Sequence, residues 1–261
     1  MQMKYSTDEY TENAQKLLLR VKEADQILIE LKSVFRDIHK HHQSGGGHLE
    51  YAYLEHFLSE SEDVSYLFQL LFNDQRTQKF LPIANRMLFE LILKSEYLIR
   101  LKKEGSDKEL LSLLCKDMAS AMSALDDAVG TGEENPAADT LRKIHVINKL
   151  LGTDFDLEKI KSNTPTFPKI KDLCEKSSIC IKDYCGEKLY HFYVQWSWNN
   201  HSRLGNDFSL EKNLDYLLNN QVECFIEMYL KNIKLLSQHA KALACEQKVT
   251  TIMEEIGIQN I

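Results

Sequence analysis

Apolar residues recur at intervals of three and four along most of the chain, which is the period of an amphipathic α-helix. Near the start, Ser6 followed three residues later by Glu9 has the spacing of a capping box. The apolar stripe that follows consists of Ala14, Leu17, Leu18, Val21, Ala24, Ile27, Leu28, Leu31 and Phe35. We predict one long helix from residue 7 to residue 42. The run Ser44-Gly45-Gly46-Gly47 ends it, because ordering consecutive glycines in a helix is costly in entropy.

The same period predicts a series of further helices after the triglycine. They cover residues 48–73, 82–104, a segment that begins after Asp107, 135–151, 187–204, a long segment that begins at Ser209, and a short tail at 248–256. Residues 153–185 are less regular, with short helix starts at Asp154 and Pro168, and no segment has a convincing strand pattern. The sequence therefore predicts an all-α bundle of about seven to ten helices.

The domain organisation follows from the first helix and the triglycine. We predict a long N-terminal helix at 1–44 and a helical bundle at 48–261, which together form one continuous domain. A helix of about 35 residues is about 50 Å long, which exceeds a compact domain. We therefore expect part of this helix to pack on a partner, either a second copy of the chain or another helical protein.

Composition narrows the class of protein. The 261 residues are 43% apolar and 27% charged, as in an ordinary soluble protein. The net charge of -7 argues against a general electrostatic attraction to nucleic acid. No apolar run approaches about 18 residues and no apolar leader is evident, so we expect a cytoplasmic protein that does not cross a membrane. None of the six cysteines forms a Cys-x2-Cys pair, which argues against a zinc ribbon. Cys174, Cys180 and Cys185 lie close together in sequence and leave a metal or redox role open, but we expect reduced, packed thiols.

Two helical segments combine apolar area with hydrogen-bonding groups. Arg86 and Glu90 lie one turn apart inside an apolar stripe, where a charged pair must be hydrogen-bonded or must face a cleft. The later segment from Tyr190 to His201 contains both tryptophans and several polar side chains, with Ser197 one turn before His201. If the two helices are neighbours, Arg86, Glu90, Tyr190, Ser197 and His201 converge on one polar network. This network either belongs to the core or lines a binding site.

The order of these two segments resembles an uncharacterised, all-helical bacterial domain-of-unknown-function family. Members of that family carry an Arg-x3-Glu helix and a later Tyr…Ser-x3-His helix, which match Arg86 and Glu90, and Tyr190, Ser197 and His201, in this sequence. The resemblance covers residues from about 70 to about 240 and leaves the long N-terminal helix outside. It implies a helical bundle of bacterial origin and no particular biochemical activity.

A second candidate lies at the end of the first helix, in Arg36-Asp37-Ile38-His39-Lys40-His41. This arrangement resembles the motif of HEPN-type ribonucleases, in which a basic residue and a histidine, paired across a dimer, cleave RNA with its own 2′-hydroxyl. The resemblance implies a metal-independent ribonuclease with Arg36 and His41 as catalytic residues, in a defence or toxin system. The alternative is a cationic helix C-terminus that complements the helix dipole.

Metal chemistry finds less support in the sequence. Histidines and glutamates surround the triglycine at His39, His41, His42, His48, Glu50, Glu55 and His56. Their spacing matches neither a zinc site nor a di-iron site, so we expect no metal and no cofactor. Two function classes remain open. One is a non-enzymatic helical module for binding, regulation or interaction, and the other is a HEPN-like ribonuclease.

Overall fold

The computed structural model describes residues 7–41, 47–74, 76–105, 110, 113, 145, 167–200 and 214–258. In this part of the chain there are seven α-helices, which we number in chain order. They are α1 (Thr7–His41), α2 (Gly47–Asn73), α3 (Leu81–Lys103), α4 (Ile170–Lys176), α5 (Tyr190–Asn200), α6 (Leu214–His239) and α7 (Leu243–Glu255). Two short 3-10 helices, Gln78–Phe80 and Gly186–Leu189, precede α3 and α5. The predicted all-α fold is confirmed.

The helix bounds predicted from the strongest apolar periods agree closely with those of the structure. The predictions for 7–42, 48–73 and 82–104 correspond to α1, α2 and α3, each within one residue at either end. The tail helix was placed too late, since α7 already begins at Leu243. The helices predicted for 106–151 lie outside the described residues, apart from helical positions at 110, 113 and 145, and so do residues 201–213.

The expectation that the chain has no strands was wrong at one place. Cys180–Ile181 (β1) and Tyr184–Cys185 (β2) pair as an antiparallel hairpin. The hairpin is too short to show an alternating pattern, since each strand has two residues. Its turn residues, Lys182 and Asp183, both have positive φ angles, which Asn-Gly pairs usually supply in such turns. The sequence therefore lacks the usual hairpin signal.

The long first helix is packed within the chain. Helix α1 contacts α6, α2 and α7, and its predicted stripe from Ala14 to Phe35 is buried throughout. The apolar face of this helix is thus covered by the chain's own helices. Among the α1 side chains whose burial the structure describes, the large apolar ones that stay exposed are Leu19 and Ile29, at 59% and 48%.

A polar network crosses the core where α1, α2 and α6 meet. The carboxylate of Asp25 on α1 accepts hydrogen bonds from the Tyr229 hydroxyl at 2.8 Å, the Ser65 hydroxyl at 2.7 Å and the Gln69 amide at 2.8 Å. Burial raises the pKa of Tyr229, and the charge of Asp25 raises it further. This arrangement fixes the register of the three helices, because each donor has its partner at only one axial position.

None of the helices within the described residues is both long enough and apolar enough to cross a membrane.

Candidate functional site

Helices α3 and α5 meet through a cluster of aromatic rings. Trp196 is 1% exposed, lies edge-on to Phe89 with ring centroids 5.5 Å apart, and stacks on Phe192 at 5.4 Å. Phe192 in turn meets Tyr184 of the hairpin edge-on at 5.0 Å. This aromatic cluster positions α5 against α3, because rings of this size contribute much of the apolar area of a small contact.

A charged group lies at the edge of the aromatic cluster. Arg86 on α3 donates through Nε to the Glu90 carboxylate at 3.1 Å and through Nη2 to the Tyr193 hydroxyl at 2.9 Å. Its guanidinium carbon lies 4.8 Å from the centre of the Tyr193 ring. The side chains of Arg86 and Glu90 are 30% and 29% exposed. An ion pair and a phenol are thus held together at a position that water can reach.

Burial and the charges of this cluster favour the protonated form of the tyrosine. Burial raises the pKa of Tyr193, and the neighbouring charge of Glu90 raises it further, whereas Arg86 lowers it by a smaller amount. Tyr193 therefore remains a neutral hydroxyl at neutral pH, able to donate as well as accept a hydrogen bond.

The structure brings together part of the predicted polar network. Arg86 and Glu90 pair as expected, but the tyrosine that contacts them is Tyr193. Tyr190 stacks on Tyr193 with centroids 5.8 Å apart, and the Ser197 hydroxyl donates to the Tyr193 backbone carbonyl. His201 lies outside the described residues.

Tyr193 is the residue that reasoning from the sequence missed. Its position one helical turn after Tyr190 and one turn before Ser197 was a signal, since residues three and four apart share a helix face. The sequence could not decide between the two tyrosines, because that depends on how α5 is rotated against α3. The aromatic contacts of Phe192 and Trp196 fix that rotation.

The second predicted site is described only in part. Arg36 is 58% exposed, and its Nε donates to the Glu55 carboxylate of α2 at 3.1 Å. His41 is the last residue of α1, and the position of its side chain lies outside what the structure describes. Glu55 therefore neutralises the cation that the ribonuclease hypothesis assigns to phosphate.

The cysteines depart from the expectation of reduced thiols. Cys180 and Cys185 form a disulfide across the hairpin, with Cα atoms 4.4 Å apart. The two residues are directly paired in the register, which is why their sulfur atoms meet. Cys174, Cys224 and Cys245 are free and buried, as predicted.

Candidate metal ligands do not cluster among the residues that the structure describes. In this part of the chain no three His, Cys, Asp or Glu side chains are placed to hold one ion. Of the residues around the triglycine, Glu55 pairs with Arg36 and His56 lies 3.1 Å from Glu60.

Fold and site together define an all-α bundle with a partly exposed Arg–Glu–Tyr cluster beside a cluster of aromatic rings. Comparison of the chain with protein-family models, with curated proteins and with solved structures gave no match.

Proposed function

We propose that this chain is a helical binding module that holds a protein partner on the surface formed by α3 and α5. The observation that carries the proposal is the Arg86–Glu90–Tyr193 cluster. The pair lies at the edge of the buried face of α3 and is 30% and 29% exposed, so a partner can reach it. Arginine and tyrosine are also among the residues that contribute most to protein–protein contacts.

The chemistry of the cluster favours a protein partner over a nucleic acid. Glu90 neutralises Arg86 locally, and the chain as a whole carries 39 acidic against 32 basic residues. Phosphate binding depends on uncompensated positive charge. A segment of protein with an apolar side chain and a polar group beside it fits better, because the partly exposed rings of Tyr190 and Tyr193 lie beside the hydrogen-bonding groups of Arg86 and Glu90.

The wider setting belongs to the same proposal. We place the module in a bacterial cytoplasm, in a defence or toxin system as the family resemblances imply. The free thiols of Cys174, Cys224 and Cys245 are compatible with a reducing compartment.

Self-association is proposed in a narrower form than the sequence alone suggested. Since the apolar stripe of α1 is buried within the chain, a second copy would have to use its outer surface, where Leu19 and Ile29 are exposed. The proposed contact of α3 and α5 with a different protein does not involve this surface.

Quantitative affinity capture tests the binding proposal. The wild-type chain, Tyr193→Phe and Arg86→Ala would each be recovered from cells that express them, with Arg76→Ala as control for loss of an exposed arginine outside the cluster. We expect at least one protein to be retained by the wild type and the control and lost from both site variants. Identical sets of captured proteins for all four chains would contradict the proposal.

The ribonuclease alternative is tested in parallel. Purified chain would be incubated with total RNA, with and without EDTA, beside the Arg36→Ala and His41→Ala variants. The binding proposal predicts no cleavage. Cleavage that survives EDTA and disappears in His41→Ala would replace the binding module with the HEPN-like enzyme.

A further inference from the structure

The hairpin that precedes α5 contains two cysteines in a chemical setting unlike that of the free thiols. Burial raises the pKa of Cys174 and of Cys224 to about 12, and that of Cys245 is raised as well. These three thiols are therefore poor nucleophiles at neutral pH. The disulfide lies at the surface instead, since Cys185 is exposed and Cys180 is half-buried.

The turn inside this disulfide has an unfavourable backbone conformation. Lys182 and Asp183 have φ angles of 46° and 66°, in the left-handed region that glycine and asparagine prefer. Positions of this kind persist only where surrounding contacts hold them. The disulfide between Cys180 and Cys185 closes the chain around the turn and supplies one such constraint.

Charged groups of α6 supply the other constraints. The backbone N–H of Lys182 donates to both Glu227 oxygens, at 3.2 and 3.1 Å, and its ammonium group pairs with Glu223. Lys231 donates to the Cys180 carbonyl at 2.5 Å and to Glu227 at 2.7 Å. These contacts hold the turn on α6.

The hairpin also leads directly into the candidate site. Cys185 is followed by the 3-10 helix Gly186–Leu189 and then by α5. Tyr184 packs on Phe192, which stacks on Trp196, one turn from Tyr193. Ring contacts thus connect the hairpin to the start of the helix that carries Tyr193.

We propose that Cys180 and Cys185 form a reversible thiol–disulfide exchange site that controls the order of the hairpin and of the segment leading into α5. A dithiol reductant attacks one sulfur through its thiolate. The S–S bond breaks, a mixed disulfide forms, and the second reductant thiol then displaces the first cysteine. The protein gains two electrons and two protons as two thiols, and the reductant leaves as its own disulfide. The oxidised form is closed, whereas in the reduced form the turn residues relax from positive φ. In a reducing compartment such disulfides are typically regulatory or transient.

Trypsin cleavage tests the order of both the hairpin and the segment leading into α5, because Lys182 lies in the turn and Lys188 lies just before α5. The full-length chain would be digested briefly with and without dithiothreitol, and cleavage after each lysine would be quantified by mass spectrometry. Cleavage after Lys103, exposed at the end of α3, is the internal control. We expect reduction to speed cleavage after Lys182 and Lys188 by about tenfold, with Lys103 unchanged.

A variant without the disulfide completes the design. Cys180→Ser combined with Cys185→Ser should be cleaved at the fast rate with or without dithiothreitol, and alkylation of the reduced wild type should label positions 180 and 185. Equal cleavage of oxidised and reduced wild-type chain would overturn the proposal, as would a bond that dithiothreitol leaves intact in the folded chain. The wild-type comparison stands even if the double variant does not fold. None of these readouts requires a binding partner, so they succeed or fail independently of the proposed function.

Discussion

Among single residues, the energetic role of the Arg86–Glu90–Tyr193 cluster depends on how much of it is exposed to water. A fully buried ion pair loses about 3–5 kcal/mol when one partner is removed, whereas exposed pairs contribute about 0–1 kcal/mol. With both side chains nearly one third exposed, this pair lies between the two limits. The cluster is therefore expected to matter more for binding than for folding.

The first prediction follows from this exposure. Glu90→Ala should lower the free energy of unfolding by about 1 kcal/mol, because water can solvate the guanidinium that is left behind. Tyr193→Phe should lower it by a similar amount or less, since the ring and its packing remain. Urea denaturation followed by circular dichroism measures both. A loss above about 3 kcal/mol for Glu90→Ala would mark the cluster as a structural core element.

The second prediction concerns the buried thiol of Cys224 on α6. Its pKa is raised from an ordinary value of 9.0 to about 12, so the folded state keeps the proton that the unfolded state loses above pH 9. Stability from this residue is therefore fully present below about pH 9 and is lost as the pH rises towards 12. Urea denaturation from pH 7 to pH 11 should show a smaller alkaline loss for Cys224→Ala than for wild type. The free energy of unfolding of each chain is taken relative to its own value at pH 7. If it falls equally with pH in both chains, the raised pKa of Cys224 does not cause the alkaline loss of stability.

At the scale of elements, the network around Asp25 gives the third prediction. Asp25→Ala removes the acceptor shared by Tyr229, Ser65 and Gln69, and should lower the free energy of unfolding by about 2–4 kcal/mol. Asp63→Ala removes an exposed carboxylate from α2 and should change it by less than about 0.5 kcal/mol. Chemical denaturation compares the two variants. Similar losses would mean that the network does not hold the three helices together.

The elements also show what the sequence could and could not predict. The stripe from Ala14 to Phe35 repeats through many turns, so one misread position does not change the predicted helix. The hairpin offered no such redundancy, because its strands have two residues each and its turn sequence is Lys182-Asp183. Its existence depends on the disulfide, whose cysteines are 5 residues apart in sequence, and on the long-range contact with Glu227 of α6. The same limit applied to the site, where the choice between Tyr190 and Tyr193 depends on tertiary packing.

At the scale of the whole molecule, α1 no longer needs a partner to cover its apolar face. Self-association remains a prediction, and it now rests on Leu19 and Ile29. We expect sedimentation velocity at micromolar concentration to give a species near twice the chain mass of 30.3 kDa, and Leu19→Glu with Ile29→Glu to shift it to the monomer. A monomer at all concentrations for the wild-type chain would remove the second copy from the list of partners.

The proposed partner protein binds on α3 and α5 around Arg86 and Tyr193. The most direct measurement is amide hydrogen exchange of the chain alone and in complex with a protein recovered by capture. We expect amide hydrogens within Leu81–Lys103 and Tyr190–Asn200 to exchange more slowly in the complex than in the chain alone. Mixing the Tyr193→Phe variant with the same protein should not slow their exchange. Protection confined to α1 and α2, with α3 and α5 unchanged, would contradict the proposed binding surface.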